Sequence, residues 1–278
     1  MPTYQELIRQ SLKRIPRLEA EALLGKVLGK ERVYIHIHSD QEASPGEEEA
    51  FFRLLAAREE GTPLHYLLGE KEWMGLPFQV SSATLIPRED TRILLEAVLS
   101  LKPFLPSRPL LLEIGTGSGI LPVLLGKSWP EARLATTEIS PETLAVAREN
   151  FRLHEVPVTA YLTDFLEEPA RLGLQADVLY SNPPYISLEE FEELEEEVRR
   201  EPEGALLGGE DGLSYYSRLG REYMRVLKPG GYVALEIGWK QAGAVRQIME
   251  EAGLAFLGLY QDDGDRDRVL TFRYQKGS

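Results

Sequence analysis

The sequence predicts an α/β protein: an open, mostly parallel sheet covered by helices and finishing in an antiparallel strand, preceded by a small helical domain and a linker with a β-hairpin. Three observations carry this. Helical apolar spacing dominates from Thr3 to about Gly61. Strand-like and helix-like stretches then alternate from Leu110 onward, the pattern of a parallel sheet with crossover helices. Near the C-terminus, Asp262-Asp263-Gly264-Asp265 separates two apolar runs, the mark of a hairpin and hence of an antiparallel finish.

Taken in order, Tyr4, Ile8 and Leu12 share one helical face, and Leu18, Ala22 and Leu23 begin a second stripe after Pro16. Residues 33–38 alternate like a strand, but a lone strand among helices has nothing to pair with, so they are read as a short helix. Ser44-Pro45-Gly46-Glu47 supplies an N-cap, a proline at the first helical position and a capping-box glutamate, which predicts a helix running to Arg58 before Gly61 stops it. Residues 61–90 lose the period to Gly61, Pro63, Gly69, Gly75, Pro77 and Pro87, and hold two short strands around Trp73 and at 78–80. Beyond them come strands at 110–114, 132–138, 158–162 and 176–181, with helices at 120–127 and 141–153 between. A strand at 231–237, a helix at 241–252 and strands at 254–260 and 269–274 complete the chain. Seven of the nine residues from 189 to 197 are Glu. Phe191, Leu194 and Val198 recur there at helical spacing, which predicts an amphipathic helix beside the site, either a solvated face or one that meets a basic partner.

Composition narrows the function. At ~150 residues per domain, 278 residues suggest two domains. With 43% apolar and 27% charged residues, disorder, collagen-like repeats and a coiled-coil rod are poor readings. The absence of cysteine excludes disulfide frameworks, Cys-ligated zinc and iron–sulfur clusters. The formal charge of −14 repels phosphate backbones, so naked nucleic acid is a poor partner and a basic protein surface a better one. The N-terminus carries charges every few residues where a secretory signal needs an apolar core, and no run of ~18 apolar residues exists to span a bilayer. These features predict a soluble, cytoplasmic protein.

Four segments carry chemistry. The strand at 110–114 runs into Gly115-Thr116-Gly117-Ser118-Gly119 and then a helix. Glycines there let a ligand approach the backbone, and their spacing departs from the G-x-G-x-x-G of dinucleotide sites, which favours a nucleoside over a pyrophosphate. Glu138 ends the next strand, 19 residues after Gly119, where an acid accepts hydrogen bonds from ribose hydroxyls; ordinary helix-capping electrostatics before Ser140 and Pro141 is the other reading. Asp164 and Phe165 follow the third strand, placed to accept from an adenine amino group and to pack on its ring, or to be a solvated acid and a core aromatic. Ser181-Asn182-Pro183-Pro184-Tyr185 follows the fourth strand. Its prolines stiffen the backbone and remove two N–H donors, leaving carbonyls beside the Asn182 side-chain acceptor. Such a corner holds a planar –NH₂ group by both hydrogens while Tyr185 covers its flat face.

With these residues the sequence resembles the S-adenosylmethionine-dependent amino methyltransferases that carry an Asn-Pro-Pro-Tyr motif, and among them the release-factor glutamine methyltransferase family. The likeness extends to residues 58–66, to Leu85-Ile86-Pro87-Arg88, to Glu113 through Gly119, and to Glu201-Pro202 with Ala205-Leu206. The chain departs from the family at Arg88-Glu89-Asp90-Thr91-Arg92, where members often read Arg-Pro-Asp-Thr-Glu, at Glu138, usually Asp, and at Phe165, often Trp. The resemblance implies a Rossmann-like seven-stranded methyltransferase sheet and divides the chain into a helical substrate-docking domain at 1–70, a hairpin linker at 71–90 and a methyltransferase domain at 91–278. It implies S-adenosyl-L-methionine as cofactor, held by Gly115, Thr116, Gly117, Ser118, Gly119, Glu138, Asp164, Phe165 and Asn182. Asn182, Pro183, Pro184 and Tyr185 would hold the substrate, with Asn182, Pro183 and Tyr185 the catalytic group. The substrate would be the Gly-Gly-Gln glutamine of class 1 peptide chain release factors, with no direct nucleic-acid or membrane partner and a monomeric enzyme.

The chemistry suits these residues. An amide nitrogen is a poor nucleophile because its lone pair is delocalised, so the site must orient it more than deprotonate it. His36, His38, His65 and His154 lie outside the motifs and read as structural, and no metal-ligand cluster is evident. The nearest rival is a DNA adenine-N6 methyltransferase, against which stand the negative charge and the lack of a basic recognition domain. A non-enzymatic nucleoside-binding module has no need of the proline corner, and the glycine spacing disfavours a nicotinamide-dependent dehydrogenase.

Overall fold

The computed structural model describes residues 1–275. Five helices open the chain. Helix α1 (Tyr4–Ser11) starts at a capping box in which Thr3 Oγ1 accepts from the Glu6 amide and the Glu6 carboxylate accepts from the Thr3 amide. Helix α2 (Arg17–Leu28) ends on Gly29, and α3 (Arg32–Ile37) occupies the stretch whose alternation imitates a strand. It is helical because no strand lies near to pair with: Ile35 is buried while Val33 and Ile37 face outward. Helix α4 (Pro45–Glu59) has the expected Ser44–Glu47 capping box and runs one residue beyond Arg58. A fifth helix, α5 (Leu64–Leu68), follows the proline-punctuated turn and packs on α2 and α4 around Leu7, Leu23, Leu24, Phe51 and Leu55.

The hairpin consists of β1 (Glu70–Trp73) and β2 (Leu76–Gln79), antiparallel about Met74 and Gly75, both of which have positive φ as a two-residue hairpin turn requires. Its two large apolar residues, Trp73 and Phe78, are fully buried in one of the two cores flanking the main sheet. The hairpin is thus packed on the sheet layer instead of hanging between domains.

The rest comprises α6 (Thr91–Ser100), β3 (Leu110–Ile114), α7 (Ile120–Ser128), β4 (Arg133–Glu138), α8 (Pro141–Leu153), β5 (Val158–Leu162), α9 (Glu167–Arg171), β6 (Ala176–Ser181), α10 (Leu188–Glu192), α11 (Ser214–Glu222), β7 (Leu227–Glu236), α12 (Ala242–Glu251), β8 (Leu254–Gln261) and β9 (Asp267–Tyr274). The seven strands lie in the order β5-β4-β3-β6-β7-β9-β8, with β9 inserted antiparallel between β7 and β8 and the other pairings parallel. Every residue of β3 and β6 is buried because helices cover both faces, which is why those strands are mostly apolar, with Glu113, Asp177 and Ser181 as their buried polar exceptions. The order reverses between β3 and β6, and the crevice beyond the carboxyl ends of strands at such a switch point is where an open α/β sheet binds ligands.

The glutamate-rich run departs from expectation. Ser187 and Glu190 form a capping box, but α10 stops at Glu192, and the chain turns before a single 3-10 turn at Val198–Arg200. Like charges three and four residues apart oppose a continuous helix. The turn also brings Glu197 to Arg58 of α4 at 2.9 Å and Glu201 to Arg88 at 2.5 Å, contacts a straight helix would forgo. Phe191, Leu194 and Val198 are each half-buried, without a continuous amphipathic face.

Candidate active site

The first wall of the crevice is the turn after β3. Gly115 and Gly117 have φ of 75° and 54°, and a Cβ on either would meet no heavy atom within 4 Å, so their bare backbone faces open space. Gly119 serves packing instead: a Cβ there would lie 2.6 Å from the Phe151 ring of α8. The space that Gly115 and Gly117 border is a cavity of about 630 Å³, also lined by Glu113, Thr116, Ser118, Glu138, Ile139, Asp164, Phe165 and Asn182. The Glu138 carboxylate is engaged by backbone amides: one oxygen accepts from those of Ile139 and Ser140, just before α8, at 2.9 and 3.1 Å, and the other reaches the Gly117 amide at 3.3 Å. Of the ~four lone-pair positions of a carboxylate, about one is left for a ligand. Thr116 Oγ1 is buried without a partner, and Glu113, also buried, is pushed up to about 8 by desolvation.

The second wall holds a surprise. Asp164 is engaged by Arg218 of α11 in a two-pronged ion pair at 2.8 and 2.9 Å. The same guanidinium lies 4.5 Å from the centre of the Phe165 ring, and Tyr215 packs edge-on to it at 5.1 Å. Asp164 is therefore already paired with a cation, with about two of a carboxylate's ~four lone-pair positions left, and one face of Phe165 is covered. Arg218 and Tyr215 were not singled out in the sequence because α11 lies about fifty residues further along the chain. Ile139, 68% exposed and in the cavity wall, is the apolar face left open there.

The third element is the corner after β6. Ser181 Oγ donates to the Ile114 carbonyl at 2.6 Å and accepts from the Tyr215 hydroxyl at 2.7 Å, fastening the end of β6 to the end of β3. Asn182 Nδ2 donates to Thr91 Oγ1, the first residue of α6, at 3.0 Å. Among the described residues, neither Asn182 Oδ1 nor the Pro183 carbonyl accepts a hydrogen bond. The Tyr185 carbonyl accepts from Gln241 Nε2 at 2.9 Å, which holds the far side of the corner.

A smaller cavity of about 260 Å³ adjoins the corner, lined by Pro183, Tyr185, Ile186, Val198 and Leu206. Leu85, Arg88, Asn182 and Ala205 belong to the walls of both cavities. The strap carrying Leu85 and Arg88 is held by buried Glu201, which accepts from the Ile86 amide at 2.9 Å and pairs with Arg88. The site residues expected from the sequence, apart from Gly119, which packs on Phe151 and lines neither cavity, thus border these cavities at the β3/β6 switch point, and Thr91, Glu201 and Arg218 join them as the partners that hold them. None of the four histidines lines either cavity, and no cluster of His, Asp or Glu suited to a metal ion occurs among the described residues. No helix among the described residues is long and apolar enough to cross a membrane.

Comparison with known proteins adds an independent line. Residues 4–69 match the PrmC N-terminal domain and residues 89–201 match the Methyltransferase small domain. The chain is 38% identical over 259 residues to a release factor glutamine methyltransferase of Geobacter sulfurreducens, covering 92% of this chain and 89% of that one. It is 41% identical over 240 residues to the protein of the same name from Moorella thermoacetica, covering 86% and 84%. Among solved structures, a methyltransferase from Pyrococcus furiosus superposes with a TM-score of 0.53 at 21% identity, covering 74% of this chain and 92% of that one, a likeness of fold.

Proposed function

Because the chain belongs to the release factor glutamine methyltransferase family, we propose that it transfers a methyl group from S-adenosyl-L-methionine to the side-chain amide nitrogen of the Gly-Gly-Gln glutamine of class 1 peptide chain release factors. The observation that carries this reading is that Asn182 stands in the wall between a cavity of nucleoside size and a smaller one of side-chain size, with its oxygen unengaged.

The residues present fit the cofactor. The bare backbone of Gly115 and Gly117, the unpartnered Thr116 hydroxyl and the remaining acceptor capacity of Glu138 suit a nucleoside with ribose hydroxyls, and Ile139 offers an apolar face to a base. We assign the cofactor to Gly115, Thr116, Gly117, Ser118, Glu138 and Asn182, with Asp164 and Phe165 acting as an assembly with Arg218. The cofactor supplies a methyl carbon made electrophilic by its sulfonium.

The chain's own residues do the orienting. Asn182 Oδ1 and the Pro183 carbonyl would accept the two N–H bonds of the substrate carboxamide, and Tyr185, in the wall of the smaller cavity, would pack on its plane. This aims the nitrogen lone pair at the larger cavity. Such positioning contributes up to ~7–11 kcal/mol when attack is in line. Acceptors aimed at the positive charge that grows on nitrogen add electrostatic stabilisation. Neither oxygen is basic enough to keep a proton, so the proton leaves to water once the nitrogen is cationic. We assign substrate docking to the helical domain, which Arg58 ties to the site-bordering segment through Glu197, and we place the enzyme in the cytoplasm as a monomer.

The test is intact-mass analysis of class 1 release factors incubated with the protein and isotopically labelled cofactor. One added methyl mapped to the Gly-Gly-Gln glutamine is the expected result; no incorporation, or incorporation at another residue, overturns the reading.

A further inference from the structure

We infer that Thr91 and Glu236 are positioning residues that determine which end of the Asn182 carboxamide faces the substrate. This rests on the methyl-transfer reading above and adds to it two residues outside the motif that carries the chemistry.

A side-chain carboxamide turns about its last torsion between two nearly isosteric orientations that exchange an acceptor oxygen for an NH₂ donor. Only one of them serves here. The substrate amide presents hydrogens, so Asn182 must offer oxygen; its own NH₂ in that place would set donors against donors. Nothing in Asn182-Pro183-Pro184-Tyr185 chooses between the two orientations.

The choice comes from behind. Asn182 Nδ2 donates to Thr91 Oγ1 at 3.0 Å, and the Glu236 carboxyl, which burial shifts toward its neutral form, has Thr91 and Asn182 as the side-chain donors that oppose that shift. Glu236 Oε2 is buried without a hydrogen-bond partner. A reversed Asn182 would turn its oxygen toward that carboxyl and withdraw the donor from Thr91. The back of the site therefore takes the NH₂ end, and Oδ1 is left for the cavity.

Both partners sit on rigid elements, which a positioning role requires. Thr91 is 2% exposed at the start of α6, and Glu236 is 1% exposed at the end of β7, paired in register with Val269 of β9. The Glu236 carbonyl accepts from the Tyr216 hydroxyl at 2.8 Å. Arg268 of β9 clamps the start of α6 through Asp90 at 2.9 Å. Three elements distant in sequence thus converge on one carboxamide, with Thr91 also in the wall of the larger cavity.

Steady-state kinetics of the full-length protein, with S-adenosyl-L-methionine and either a release factor or a Gly-Gly-Gln peptide, test this. Thr91→Val keeps the shape and removes the hydroxyl; Thr91→Ala does so with less demand on packing, and whichever variant melts cooperatively is used. The expected result is a fall in kcat of roughly 10- to 100-fold, the scale of a misoriented reacting group. KM for the peptide and Kd for S-adenosylhomocysteine should stay within about twofold, and Thr91→Ser, which keeps the hydroxyl, should recover most of the rate. An unchanged kcat, a loss confined to KM, or a Thr91→Ser variant as slow as Thr91→Val would overturn the inference. Wild-type protein that methylates no glutamine would instead sink the reading beneath it, and the same assay tells the two failures apart.

Discussion

Asn150 of α8 grips Gln79 of β2 by both ends of its carboxamide: its oxygen accepts from the Gln79 amide at 2.8 Å and its nitrogen donates to the Gln79 carbonyl at 2.9 Å. The same nitrogen donates to the Ser118 carbonyl in the glycine turn at 2.8 Å. One fully buried side chain therefore joins the hairpin, a helix and the cofactor-side loop. Asn150→Ala should cost about 1–3 kcal/mol, because backbone groups are left without partners, and should weaken cofactor binding through the loosened turn. Urea denaturation with a calorimetric titration of S-adenosylhomocysteine checks both; an effect on neither would show that the three elements hold one another without it.

The glycines of the turn should separate by role. Gly119→Ala places a methyl 2.6 Å from a Phe151 ring carbon at a φ of +81°, so its main effect is a lowered Tm. Gly117→Ala meets no neighbour and adds only the left-handed strain of ~1–2 kcal/mol, but its methyl enters the larger cavity. We expect cofactor affinity to fall much further relative to stability for Gly117→Ala than for Gly119→Ala. Thermal melts paired with titrations of both variants read out the ratio.

Asn182→Ala should abolish methyl transfer while leaving S-adenosylhomocysteine binding within a few-fold of wild type, since Asn182 is one of many residues around the larger cavity and Thr91 takes only its donor side. A mass-shift assay on the glutamine peptide beside a calorimetric titration provides the measurement. Near-normal turnover would remove Asn182 from the chemistry.

Glu236 titrates out of place. Burial pushes its carboxyl from the ordinary 4.5 up to about 8, with Asp90 adding to the shift and Arg268, Thr91 and Asn182 opposing it; Tyr185 and Tyr216 are its other titratable neighbours. A folded-state value raised above the unfolded one favours the protonated form on folding. Its contribution to stability is complete below the unfolded value and is lost as pH climbs through about 8. Glu236→Gln, neutral at every pH, escapes that loss. Its Tm should match wild type near about pH 5 and exceed it increasingly toward about pH 9, a comparison that differential scanning calorimetry resolves. Equal pH profiles for the two proteins would mean that the carboxyl does not carry the shift.

Much of the architecture was legible because local chemistry and tertiary context agree. The capping box at Ser44, the glycine turn after β3 and the Asp-Gly hairpin before β9 each act within a few residues, and each formed as read. Where the two disagree, reading fails in an intelligible way. Residues 33–38 carry a strand's alternation and become α3, as the lack of a pairing partner implied. The glutamate run carries a helix's spacing and is broken at Glu192, because Arg58 and Arg88 draw Glu197 and Glu201 away. The ion pair of Asp164 was not legible because its partner, Arg218, comes from α11.

From residues alone came the α/β class, the order of its elements, the glycine turn and the proline-stiffened Asn182 corner, since each depends on backbone preference or on neighbours a few positions away. Tertiary structure alone decided that this corner opens onto two cavities and that Thr91 engages the NH₂ end of Asn182. A carboxamide has the same shape in either sense. Its direction is a hydrogen-bonding choice made by groups ninety residues before it and fifty after it in the chain, and only the packed sheet brings them together.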